Sequence, residues 1–264
     1  MPKIEVAPGV ALHCDERGAA GPVVVLLNGM SQSTANWLTQ SRHLSEHFRV
    51  VAYDARGQGR SDLGTEPLSL DVHCRDLMAL LKALGVERAH LCGFSYGARI
   101  ALAMAARHPE VVDRLVLTSL GAGQDALRRT IVRSWLETLN RGGLEAMAWC
   151  SLPSILGARF LGRYEAQLDG MILATTRRNS EPALRALLES LTKFPRPEED
   201  APKVLAPTLV LGSSRDPLVP LEGTLAITGL FADARHQIFD DCAHTIPVES
   251  PETWRQAVMT FLRG

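Results

Sequence analysis

The chain has 264 residues, 46% of them hydrophobic and 22% charged, which is enough for a full core in one large α/β domain or a domain with an insertion, and too apolar for disorder. A formal net charge of -1 gives no electrostatic footprint for nucleic acid or an anionic membrane, so the expected partner is a small molecule. The five cysteines, Cys14, Cys74, Cys92, Cys150 and Cys242, are odd in number, scattered and without a CxxC pair, so neither a disulfide framework nor a zinc site is expected.

Reading along the chain, MPKIEVAPGV carries no long apolar run. No later segment approaches the roughly 20 apolar residues of a bilayer-spanning helix, so a soluble, cytoplasmic protein is expected. VALHCDERG (10–18) and PVVVLLNG (22–29) read as strands, the second apolar enough to be buried on both faces. STANWLTQSRHLSEHF opens with candidate caps Ser33 and Thr34 and reads as a crossover helix to the strand FRVVAYD (48–54). SLDVHCRDLMALLKALGV (69–86) has a capping signal at its start, Gly85 at its end, and an apolar face of Val72, Leu77, Leu80, Leu81 and Leu84. The strands RAHLCGF (88–94) and VDRLVLTSL (112–120) continue a βαβ series, and parallel strands joined by helices imply a doubly wound, mostly parallel sheet.

After Leu120 the strand signal stops. Residues 122–200 hold only helical stretches, among them DALRRTIVRSWLETLN, GGLEAMAWC, YEAQLDGMILATTRR and EPALRALLESLTKF. Strand signals resume with APTLVLGSS (206–214) and ARHQIF (234–239), and ETWRQAVMTFLR reads as the last helix. The expected organisation is a core of residues 1–121 and 201–264 with an inserted all-helical cap, 122–200. Such a cap belongs over the carboxyl edge of the sheet, where folds of this class bind ligands. The Pro-rich KFPRPEEDAPK (193–203) reads as the returning linker.

The stretch GFSYG (93–97) places a serine between two glycines at the junction of a strand and a helix. This is the pattern of a nucleophile elbow, in which a strained serine projects its hydroxyl above the sheet and the glycines allow close backbone approach. With its neighbours it resembles the α/β-hydrolase superfamily. The resemblance covers nearly the whole core and includes DARGQGRSD (54–62), similar to the family's Asp-x-Arg-Gly-x-Gly-x-Ser loop, in which Asp54 and Arg56 are expected to be structural. A serine at the elbow sets aside the dehalogenase and epoxide hydrolase branches, and no G-x-x-x-x-G-K-[ST] occurs.

A serine hydroxyl is a weak nucleophile and needs a base, itself oriented by an acid. His244, in CAHTIPVESP just beyond the last strand, is similar to the family's Gly-His-x-x-x-x-Glu-x-Pro loop with Ala243 in place of the glycine. The acid expected is Asp216, at the end of a strand, in the chain order Ser95, Asp216, His244. An Asp-Pro turn is the plain alternative for that residue. Asp240 and Asp241 lie too near His244 in sequence, and Asp125 follows the preceding strand, where some branches place the acid.

An oxyanion needs preformed donors. The resemblance implies the backbone N–H groups of Tyr96 and Met30, with Asn28 standing where the family's His-Gly-x has histidine. Asn28, Trp135, Trp149 and Phe160 are candidate pocket residues, with Met147 and Met171 beside them; helical spacing alone is also the signature of ordinary core. The stretch SLPSILGARFLGRYEAQLDGMILAT is similar to the lid of small-molecule esterases and enol-lactonases. The resemblance thus implies a serine hydrolase of small carboxylic esters, lactones or thioesters, without metal or organic cofactor. Acyl transfer, C–C hydrolysis or cofactor-free perhydrolysis would use the same triad, and the fold also serves ligand-binding receptors.

Overall fold

The computed structural model describes residues 3–18, 20–123 and 126–264. Among them, seven strands form the central sheet, in the order β3 (Cys14–Arg17), β5 (Arg49–Tyr53), β4 (Val23–Leu27), β6 (Ala89–Phe94), β7 (Val112–Thr118), β8 (Thr208–Ser213) and β9 (Ala234–Phe239). All neighbours pair parallel except β3 with β5. Every residue of β6 and of β8 is buried, as expected of parallel strands covered on both faces.

Side chains alternate across the pleat and so feed two cores. Val25, Leu27, Val51 and Leu91 face the layer of α2 (Leu70–Ala83) and α3 (Tyr96–Arg107). Val24, Leu26, Val50 and Cys92 face the layer of α1 (Leu38–Leu44) and α11 (Pro251–Arg263). There Trp37 and Trp254 pack with ring centroids 5.5 Å apart. Helix α2 starts as its sequence signals: the Ser69 hydroxyl accepts from Val72 N–H at 3.2 Å, and Gly85 leaves the helix at φ +66°.

Between β7 and β8 the described chain is helical without a strand: α4 (Ala126–Ile155), α5 (Ala158–Arg163), α6 (Leu168–Arg178), α7 (Glu181–Lys193) and the short α8 (Pro197–Asp200). Helix α4 is two helices joined at Gly143, whose φ of 74° and ψ of -170° are open to glycine alone. Val132, Trp135, Met147, Leu184 and Leu187 from this segment join the core on the α2/α3 side.

Several local expectations change. β1 (Ile4–Ala7), short and half-exposed, pairs antiparallel with β2 (Val10–Leu12) in a separate ribbon. The strand expected over 10–18 therefore divides at His13, where the chain passes from that ribbon into the sheet while His13 N–H donates to the Ser61 hydroxyl at 2.9 Å. The linker expected over 193–203 forms α8 and a 3₁₀ turn. The crossover from β8 to β9 is α9 (Leu221–Thr228), and α10 (Ile246–Glu249) precedes α11. No helix among the described residues is long and apolar enough to cross a membrane.

Candidate active site

Ser95 is the one residue between β6 and α3. Its φ of 50° and ψ of -108° place a non-glycine residue in strained backbone. The turn closes because glycines flank it: a Cβ on Gly93 would stand 2.5 Å from the Gly97 carbonyl oxygen, and one on Gly97 would strike the carbonyls of Leu27 and Asn28. Ser95 N–H donates to Thr118 O at 2.9 Å, tying the elbow to β7.

The Ser95 hydroxyl lies 2.8 Å from His244 Nε2, and His244 Nδ1 lies 2.7 Å from Asp216 Oδ2. His244 and Asp216 are both buried. The other carboxylate oxygen of Asp216 accepts from Leu218 and Val219 N–H at 2.8 and 3.0 Å. The Asp-Pro turn and the contact with histidine are therefore both present, one on each oxygen. Asp240 bonds Ser214 and Asp241 bonds Ser250, away from the imidazole. Asp125 lies outside the described residues.

Residues that sequence reasoning missed hold the histidine loop. Ser119, at φ 56° after β7, donates its hydroxyl to the His244 carbonyl at 2.6 Å. Ser213 donates to Cys242 O at 2.5 Å. Thr245 donates both its N–H and its hydroxyl to Ile155 O, at 3.1 and 2.8 Å, and so fastens the loop to the end of α4. Their signal in sequence is weak, since serine and threonine after strands also fit ordinary turns.

Above Ser95 is a cavity of about 380 Å³. Met30, Tyr96 and His244 line it with Ser95, and Trp135 and Phe160 are among its apolar walls. Its basic lining among the described residues is His244, Arg99, Arg128 and Arg178, and no Asp or Glu among the described residues lines it. Two pocket expectations are corrected. Asn28 lies beneath the loop, not on the cavity: its Nδ2 donates to Tyr53 O and Asp54 Oδ1, both at 3.0 Å. Trp149 is 38% exposed and absent from the cavity wall, because the break at Gly143 turns its face of α4 outward.

Asp54 and Arg56 are both buried in a structural network. Asp54 accepts from Asn28, from Thr34 N–H at 2.7 Å and from Arg60 N–H at 3.0 Å; burial still raises its pKa. Arg56 makes a two-pronged pair with Asp76, at 2.8 and 2.7 Å. No cluster of three or more His, Cys, Asp or Glu side chains suited to a metal occurs among the described residues.

Comparison with known proteins returns hydrolases and the same fold. Over 243 residues the chain is 31% identical to RutD of Caulobacter sp. (strain K31), named as a candidate carbamate hydrolase, covering 91% of this chain and 90% of that protein. It is 27% identical over 262 residues to the 2-hydroxy-6-oxononadienedioate/2-hydroxy-6-oxononatrienedioate hydrolase of Cupriavidus pinatubonensis (strain JMP 134 / LMG 1197), covering 95% and 90%. The crystal structure of the enol-lactonase from Burkholderia xenovorans LB400 superposes with a TM-score of 0.90 at 25% identity over 100% of both chains. With the family model of the alpha/beta hydrolase fold matching residues 22–251, the chain belongs to the α/β-hydrolase family.

Proposed function

We propose that the chain is a serine hydrolase that cleaves small carboxylic esters, lactones or thioesters through an acyl-enzyme on Ser95. The observation carrying this reading is the unbroken line from Asp216 through His244 to Ser95 at the base of the cavity. Asp216 accepts the Nδ1 proton of His244, which leaves the Nε2 lone pair facing the Ser95 hydroxyl. As Ser95 Oγ attacks the carbonyl, its proton passes to Nε2, and the imidazolium is stabilised by the carboxylate behind it. The oxyanion takes the N–H groups of Met30 and Tyr96, the latter at the N-terminus of α3, where unpaired amides and the helix dipole favour negative charge. His244 then protonates the leaving group, and a water molecule repeats the sequence to release the acid.

In this reading residues 122–200 act as a cap, and Trp135 and Phe160 shape the acyl pocket. The partner is a small acyl substrate. A second reading, C–C hydrolysis, is supported by the likeness to the 2-hydroxy-6-oxononadienedioate hydrolase. The substrate in that name carries a ketone and two carboxylates but no ester, so its hydrolysis has a carbon–carbon bond to cut.

Treatment with a fluorophosphonate followed by peptide mapping tests the nucleophile. Label is expected on Ser95 in the wild type and absent in Ser95→Ala, and turnover should fall by about 10⁴- to 10⁶-fold in Ser95→Ala or His244→Ala. Label on another serine overturns the assignment. A panel of neutral esters, dicarboxylic half-esters, enol lactones and vinylogous 1,5-diketones then separates the two readings by product.

A further inference from the structure

Tyr96 follows the elbow serine, and its side chain runs away from Ser95 into a buried polar chain. Its hydroxyl lies 2.8 Å from His73 Nε2 on α2 and 2.8 Å from Ser190 Oγ on α7. Ser190 in turn donates to Leu187 O at 2.8 Å. All three side chains are nearly sealed from solvent: Tyr96 and His73 are each 1% exposed and Ser190 3%. The Tyr96 ring also packs on Phe194, with centroids 5.3 Å apart, and His73 meets the Tyr96 ring edge-on at 5.5 Å.

The proton inventory gives this chain one direction. A carbonyl only accepts, so the single Ser190 proton goes to Leu187 O, and Ser190 Oγ must accept from Tyr96. The Tyr96 proton is thereby committed, and the phenol oxygen must accept from His73. Burial holds His73 neutral, with its pKa pushed down to about 3, so its one proton sits on Nε2. The order is His73 to Tyr96 to Ser190 to Leu187, with each donor used. In so dry a place each link matters more than on the surface, because a buried group left unpaired has no water to turn to.

The chain joins three elements: α2 of the core, the first residue of α3, and α7 of the helical segment. The same residue, Tyr96, carries one of the two N–H groups assigned above to the oxyanion. We propose that Tyr96 is a positioning residue whose phenol, held between His73 and Ser190, orients the Ser95–Tyr96 peptide and makes oxyanion stabilisation depend on α7 being seated on the core. This rests on the hydrolase reading of Ser95. The physical link is short: the Cα of Tyr96 lies in the peptide plane that carries its N–H, so a displacement of the anchored ring that moves Cα tilts that plane, and the N–H must point at an oxygen that exists only after attack.

The full-length chain is tested as wild type, Tyr96→Phe, Ser190→Ala, Ser190→Thr and the Tyr96→Phe/Ser190→Ala double variant. Measured are kcat and KM for an ester the wild type turns over, the inhibition constant of an alkyl trifluoromethyl ketone, fluorophosphonate labelling, and Tm. The ketone forms a tetrahedral adduct with an oxyanion, so its affinity reads the donors and not the fold. Tyr96→Phe and Ser190→Ala should each lower kcat by about tenfold, short of the roughly 100-fold loss of a whole oxyanion donor. KM should stay within about twofold, ketone affinity should fall in step with kcat, and Ser190→Thr should restore both. The double variant should be no worse than Tyr96→Phe, because one chain is being cut. Lower Tm with unchanged kcat and ketone affinity overturns the proposal and leaves the chain a packing device; additive losses in the double variant overturn it as well. If Tyr96→Phe does not fold, Ser190→Ala, which removes one oxygen, carries the same comparison. Wild type that takes no label on Ser95 overturns the hydrolase reading and this proposal with it, whereas normal labelling without the kcat and ketone effects overturns this proposal alone.

Discussion

Glu249 Oε2 accepts from Gly157 N–H at 2.7 Å and so ties the turn between α4 and α5 to the helix that follows His244. Its other oxygen accepts from Ala243 and Thr245 N–H, the two neighbours of His244, at 3.1 and 3.2 Å. One carboxylate thus sets the histidine loop and the helical segment relative to each other. Burial nevertheless raises the Glu249 pKa, against the opposing pull of these three N–H groups.

A carboxyl with a folded-state pKa above its unfolded value binds its proton more tightly in the folded chain. Its contribution to stability is fully present below the unfolded value and is lost as pH rises through the folded one. Glu249→Gln replaces one acceptor oxygen with a donor, leaves an N–H unmatched, and should destabilise by roughly 1–3 kcal/mol. The wild type's advantage over Glu249→Gln should then narrow as pH climbs from the ordinary carboxylate range upward. Urea unfolding of both proteins from pH 4 to 8 checks this, and an advantage that widens with pH contradicts it.

Asp216→Asn should leave the fold intact and slow acylation by about 10⁴-fold, since the amide presents no full charge to the imidazolium and can hold the wrong tautomer. Oδ1 keeps its two N–H donors if the amide oxygen takes that position, so circular dichroism and Tm should change little. Stopped-flow acylation with a chromogenic ester measures the loss. Activity retained in Asp216→Asn but lost in Asp125→Asn would move the acid to the earlier strand.

Trp135 and Trp149 look alike in sequence but should behave differently. Trp135 is buried and lines the cavity, so Trp135→Ala should shift the ranking of esters by acyl length, by about 10- to 200-fold in relative kcat/KM if roughly 1–3 kcal/mol of contact per methylene is at stake. Trp149→Ala should leave the ranking unchanged. Ester rankings and melting temperatures on both variants decide the matter; a ranking unchanged in Trp135→Ala removes its role as selector.

Arg56 and Asp76 are each 2% exposed and bonded through two nitrogens. Removing one partner leaves a buried charge unmatched, so Asp76→Ala should destabilise the chain by about 3–5 kcal/mol. The double variant Arg56→Met/Asp76→Leu should recover much of that loss. Denaturant midpoints for the three proteins form the test, and a double variant worse than Asp76→Ala would mean that the pair contributes more than mutual neutralisation.

What could be read from the sequence was local or periodic. A continuous apolar run marked β4, because a strand covered on both faces has no polar side to show. The glycines of GFSYG marked the elbow, because backbone approaches its Cα positions too closely for side chains. Ser95, Asp216 and His244 were recognisable because each stands at a strand end, and strands running parallel deliver those ends to one edge. Arg56 was singled out as structural, yet its acid Asp76 sits on a helix twenty residues away and reads as one more polar position there. Tertiary structure alone decided the rest. Trp135 and Trp149 have equal claims by helical spacing, and the φ of Gly143 sends one to the cavity and the other to solvent. Asn28 stands two residues before the cavity-lining Met30 in sequence, but packing turns its amide down to Asp54. Glu249 with Gly157, and Tyr96 with His73 and Ser190, join residues up to 94 positions apart. Contacts of that kind depend on how whole elements dock, a choice made by the summed burial of two cores and not by the residues at the contact.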